Sequence, residues 1–157
     1  MKVQVSMLTI FFFGLLGCSN NQTNIPKQSH QTDSIVKIEM NLSAFGVESD
    51  SYPSIHVLLD FIHDSSICVK SYYNPSIKGS TYSLTKNEML SILKLLKIED
   101  IVKLKKEYTV NLSDQPKSIT KIYTTKKIFT ITDYGLEGEY PLQELYKIVY
   151  KFDLPQN

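Results

Sequence analysis

Arginine is missing from this chain: all 17 basic residues are lysine. The planar fork that reads guanine and phosphate bidentately is therefore absent. A formal net charge of +1 also argues against nucleic acid as a partner. Cysteine is scarce, with two in 157 residues, too few to staple a disulfide framework. No His-x-x-x-His, Cys-x-x-Cys or Gly-x-Ser-x-Gly spacing occurs, so no metal, cofactor or catalytic residue is assigned from a motif. No internal repeat is visible. What remains, 42% hydrophobic and 21% charged, is the composition of one ordinary folded domain.

The clearest apolar run is Met7 to Leu16, behind a short N-terminus whose one charge is Lys2. Ten residues make a helix of about 15 Å, half of a bilayer core, so the run does not span a membrane. It has the size of a signal-peptide hydrophobic region. It ends in Leu15-Leu16-Gly17-Cys18, which resembles the lipobox of bacterial lipoproteins. The resemblance implies that the Cys18 thiol takes a diacylglyceryl group and that cleavage makes Cys18 the new N-terminus. A plain secretory signal with a chance cysteine is the alternative. The position of the run, its length and the small Gly17 favour the lipoprotein reading. Residues 19–34 hold a single clearly apolar residue, Ile25, and cannot bury enough surface to order themselves. They are expected to tether lipid to domain, reaching at most about 55 Å. Residues 1–17 are thus read as signal peptide, 18–34 as lipidated Cys and flexible tether, and 35–157 as a single domain. Ser19, rather than Asp, after the Cys implies sorting to the outer membrane, and the lack of an acidic run after it favours a domain facing the periplasm.

Within 35–157, Val36, Ile38, Met40 and Leu42 alternate with polar residues, the period of a half-buried strand. Ile55, Val57, Leu59 and Phe61 alternate again. After a turn at His63–Ser66, Ile67, Val69 and Tyr73 are expected to continue the same face, making 55–73 a hairpin. A short strand is allowed at 80–83. Thr85 and Glu88 form a capping box, with Leu84 and Met89 as its staple. Met89, Ile92, Leu93 and Leu96 make a helical stripe, with Lys94 and Lys97 at the negative end. A short turn is allowed at Glu99–Leu104. Strands are expected near 117–124 and 127–133. A last helix starts at Pro141, carries Leu142, Leu145, Tyr146 and Val149, and stops before Pro155. The expected fold is α+β: an antiparallel sheet of five to six strands with two helices packed on one face.

Few residues point to chemistry. Cys68 sits between Ile67 and Val69 and reads as a small apolar filler, since a nucleophilic thiol needs a base or a positive field beside it. His56 and Asp60 share a strand face but stand about 13 Å apart, too far to bond. Asp133, Glu137 and Glu139 share a Gly-containing loop, but the order of a calcium loop is missing. Charge is uneven. Residues 94–127 hold nine Lys against four acids, while the flanking stretches are acidic. A solvated, Lys-rich exterior is the first expectation for this run; if the domain binds an acidic protein or cell-wall partner, Lys103, Lys105 and Lys106, its densest part, are the candidate contact. Tyr52, Tyr72 and Tyr73 flank loops, and tyrosine suits binding surfaces, but core and rim packing is the expected role of the tyrosines, as Tyr146 and Tyr150 fit helix packing.

Phe45-Gly46, Tyr52-Pro53, Leu93 with Leu96, Tyr108, Asp114-Gln115-Pro116 and Asp133-Tyr134-Gly135 follow one another as in an uncharacterised lipoprotein domain family common in Bacteroidota, which the stretch from Phe45 to Phe152 resembles. The resemblance implies two strands, a helix, a hairpin ending near Asp-Tyr-Gly and a final helix; it implies no activity. That family's paired cysteines are absent here, where Ala44 and Tyr52 stand, so no redox role is carried over. The expected function is that of a cell-envelope lipoprotein whose domain binds a partner without catalysis. A small envelope hydrolase using the acids at 133–139 is the alternative.

Overall fold

Among the described residues, seven strands order themselves around the alternation that opens the domain. Ile38, Met40 and Leu42 point to one side of β1 (Ile35–Ser43) and are at most 2% exposed. β1 is the middle strand and pairs antiparallel with β2 (Ser54–Asp60) on one side and β6 (Lys117–Thr124) on the other. β2 pairs with β3 (Ser65–Ser71), and β3 with β4 (Ser80–Tyr82). β6 pairs with β7 (Ile128–Tyr134), and β5 (Glu107–Thr109) closes that end. The order is β4-β3-β2-β1-β6-β7-β5. The computed structural model describes residues 32–44, 47 and 49–152. The signal run, Cys18, the tether to Gln31, Phe45-Gly46 and the expected stop at Pro155 lie outside the described residues.

Among the described residues three helices cover one face: α1 (Lys86–Leu95), the single turn α2 (Ile98–Ile101) and α3 (Leu142–Tyr150). Met89 and Ile92 of α1, Ile101 of α2, and Leu142, Leu145 and Val149 of α3 join Ile38, Val57, Ile122 and Ile131 of the sheet in one core. Such layering buries an apolar stripe of each helix against the apolar side of the sheet. The opposite face carries Glu39, His56 and Lys121 and meets water.

The fold is α+β with a mostly antiparallel sheet, as expected, but the described residues hold seven strands and three helices instead of five to six and two. The additions are α2 and β5. β5 is three residues long, buries Tyr108 alone, and pairs parallel to β7. Neither element is long enough to show a period.

The expected face of β3 is reversed. The hairpin register sets Leu59 against Ser66 and Val57 against Cys68. The inward side therefore passes from odd to even residue numbers. Cys68 is fully buried, while Ile67 and Val69 are 44% and 39% exposed. The turn lies at Phe61–Asp64, earlier than expected, where Asp60 Oδ1 accepts the N–H groups of Ile62 and His63 at 2.9 and 3.0 Å. In α1, Leu95 packs on the core and Leu93 is exposed. Pro141 is the N-cap of α3, one residue before its first turn.

Candidate functional site

The three loop acids do not converge. Asp133 points inward from β7 and is fully buried. One carboxylate oxygen accepts the Glu137 N–H at 2.8 Å. The other accepts the Gly138 N–H at 2.8 Å and the Tyr146 hydroxyl at 3.0 Å. Gly138 is required there, because a Cβ would stand 2.5 Å from Leu142 and 2.7 Å from the Asp133 carboxylate. Tyr146 stacks on Tyr150, whose hydroxyl shares a 2.6 Å bond with Ser118. Burial, then the Asp133 charge, pushes the Tyr146 hydroxyl above the ordinary phenol range. Glu137 and Glu139 lie exposed outside this cluster. A carboxylate held by three donors fastens the loop to the core; it has no open side from which to exchange a proton with a substrate.

Three of the motif segments, at Tyr108, Gln115-Pro116 and Asp133–Gly135, are drawn together here. Tyr108 faces Asp133 across β5 and β7. The Gly135 N–H donates to the Pro116 carbonyl at 2.9 Å, and the Gln115 N–H to the Tyr134 hydroxyl at 3.2 Å. Gly135 turns the chain at φ +94, where a Cβ would run into Val110. Their shared task is to close one end of the sheet.

Burial pushes the Cys68 thiol up to about 11, so it stays protonated and inert at neutral pH. His56 bonds Asn41 across β1 and β2 at 2.6 Å, and Asp60 bonds His63 at 2.7 Å. The Asp60–His63 pair was not anticipated from the sequence; the hairpin turn brings the two together. Among the described residues no group of three His, Cys, Asp or Glu is placed to hold a metal ion, and no helix is long and apolar enough to cross a membrane.

The lysines of 94–127 do not share one face. Lys117 and Lys121 stand on the open face of β6. Lys103 is paired with Asp100 at 2.9 Å. Lys105 lies 3.4 Å from Glu139. Lys106 and Lys127 have no carboxylate within ion-pair distance among the described residues, and Lys127 sits 4.5 Å from the centre of the Phe129 ring. Lys105, Lys106 and Lys127 line one cleft of about 240 Å³ beside β7. Of the three lysines expected at a partner contact, two reach this cleft. Lys127, from the β6–β7 turn, joins them, and Lys103 is not among the lining residues.

A second cleft, of about 450 Å³, opens at the opposite end of the sheet between the segment before β2 and the end of β3. Tyr52, Tyr72 and Tyr73 line it with Asp50 and Ser54. Burial pushes the Tyr52 hydroxyl up to about 12, so it remains a donor. Tyr73 is 90% exposed.

An antiparallel-dominated α+β domain with open surface clefts, among them the lysine and tyrosine clefts, and a committed buried carboxylate defines the architecture. Residues 68–152, over half the chain, match the family described as domain of unknown function (DUF6438), and the chain belongs to that family. No curated protein matches the chain, and no solved structure does.

Proposed function

We propose that the protein is a lipid-anchored, non-catalytic binding module of the bacterial cell envelope. The anchor rests on the lipobox Leu15-Leu16-Gly17-Cys18, with Cys18 as the acylated residue. Outer-membrane placement, with the domain facing the periplasm, rests on Ser19 and the lack of acids after it. The domain docks an acidic partner at the corner between β5 and β7. The observation that carries this is the cleft lined by Lys105, Lys106 and Lys127, of which Lys106 and Lys127 have no carboxylate within ion-pair distance among the described residues. The hydrolase alternative loses its central acid, because Asp133 is buried and held by three donors.

A second reading has its own observation. Three tyrosines with Asp50 and Ser54 line the opposite cleft, a combination of ring faces and short polar groups that suits a cell-wall glycan.

The experiment is affinity capture from detergent-solubilised envelopes with the full chain as bait. Cys18→Ser should move the protein out of the detergent phase, because acyl chains supply the anchoring. Capture should weaken as salt screens charges beyond about 8–10 Å. It should also fall with Lys105, Lys106 and Lys127 changed together to Gln. Unchanged partitioning overturns the anchor. Capture that ignores salt and the triple change, but is lost with Tyr73→Ala, moves the contact to the tyrosine cleft.

A further inference from the structure

The backbone beside the lysine cleft carries a feature that charge alone does not use. β7 is paired along its whole length with β6, from Lys117↔Tyr134 to Tyr123↔Ile128. On its other side β5 covers only Thr132, Asp133 and Tyr134. The Thr132 N–H donates outward to the Lys106 carbonyl, and the Tyr134 carbonyl accepts outward from the Val110 N–H. Backbone direction alternates along a strand, so Thr130 and Ile128 also aim their polar groups away from β6. No strand of the described residues pairs with them there. Before β5 the chain swings away from β7, and the cleft opens between Leu104–Lys106 and Ile128–Ile131. Val102 and Ile128 stand beside it, 51% and 59% exposed.

We infer that the Ile128–Thr130 edge of β7 accepts an extended acidic segment of a partner protein by strand addition, collinear with β5. The inference rests on the acidic-partner reading above and deepens it. Strand addition takes affinity from main-chain bonds and specificity from alternate side chains. Here the main-chain groups are those of Ile128 and Thr130. The alternate side chains meet Lys105, Lys106 and Lys127 on one hand and Val102 and Ile128 on the other. A second copy of this chain is disfavoured as occupant, since pairing two such edges would bring the same lysines together. The tether is disfavoured too, because residues 19–34 hold one acid, Asp33, and one lysine, Lys27.

The test uses the isotope-labelled full chain in non-ionic detergent. The probe is a blocked synthetic peptide, Glu-Thr-Glu-Val-Glu-Thr-Glu, with a control N-methylated at alternate amides. Saturable shifts of the Ile128, Thr130 and Lys106 amides are expected. N-methylation should weaken binding about tenfold or more, as loss of two main-chain bonds would. Thr130→Pro removes one outward N–H while leaving the β6 ladder intact, so it should fold and fail to bind. Lys106→Gln with Lys127→Gln should weaken binding and flatten its salt dependence. Salt-sensitive shifts at the lysines that ignore N-methylation and Thr130→Pro would overturn strand addition and leave the acidic contact standing. No shift at this corner at low salt would overturn both. Self-association through the edge, seen as concentration-dependent shifts without peptide, would assign the edge to a second copy and overturn the inference.

Discussion

Asp133 was legible as a residue but not as a role. Its place in Asp-Tyr-Gly-Leu-Glu-Gly-Glu marks an acidic loop, and acids in loops are normally solvated. Its inward direction follows from β7 pairing, which sets it opposite Ser118 and Tyr108. Three donors then satisfy it, and the charge is tolerated because it is bonded. Asp133→Asn keeps the shape but turns one acceptor into a donor facing a donor. It should cost about 1–3 kcal/mol, the range for leaving a buried polar group unmet. Chemical denaturation checks this, and the Gly138 amide should lose exchange protection first. Thr120 offers a contrast. Its buried hydroxyl has no hydrogen-bond partner among the described residues, and nothing in the structure explains it.

At the scale of elements, the first helix was readable because its signals are local. Thr85 Oγ accepts the Glu88 N–H at 3.2 Å, and Glu88 Oε2 accepts the Thr85 N–H at 2.6 Å. Four residues of sequence contain that exchange. They do not contain Lys151, beyond the end of α3, which pairs with the other Glu88 oxygen at 2.8 Å. The Lys151 ammonium beside it, then the Thr85 donors, hold the Glu88 carboxyl below its ordinary value. Thr85→Ala should lower stability by about 0.5–2 kcal/mol. A depressed carboxyl contributes above its unfolded pKa and loses that contribution as pH falls through the folded one. The deficit of Thr85→Ala measured at neutral pH should therefore shrink in acid. A deficit that is constant with pH would separate the cap from Glu88.

The lysine run belongs to this scale as well. Its sequence density was plain, but density along the chain is not density in space. Helix α1, the open face of β6 and the β6–β7 turn send its members in different directions, and Asp100 takes one of them. The cleft beside β7 gathers three of them.

The molecule as a whole hides phenols and its one described thiol. Burial raises Cys68 to about 11 and Tyr52 to about 12, and lifts Tyr82, Tyr146 and Tyr150 above the ordinary range. Groups whose folded pKa lies above the unfolded value stabilise fully below the unfolded value. They lose that contribution as pH rises toward the folded one. Stability should be flat near neutrality and fall once pH passes the ordinary thiol and phenol values of 9.0 and 10.0. Denaturant midpoints taken from neutral to strongly alkaline pH check the sign. A midpoint rising over that range would contradict it. In the same series Cys68 should resist alkylation until the domain opens.

What the sequence determined by itself is what neighbouring residues decide among themselves. The period of two in β1, β2 and β6, the capping box and the stripe of α3 each lie within a few neighbouring residues. Propensity and patterning act over that range. The tertiary structure decided what depends on distant partners. It set which side of β3 faces inward through a four-residue turn. It recruited Glu107–Thr109 as a parallel strand, buried Asp133 beneath Tyr146, and left the Ile128–Thr130 edge without a paired strand among the described residues. A strand's face and its unpaired edge are properties of the sheet that receives it, because hydrogen bonding and burial join residues that the chain keeps far apart.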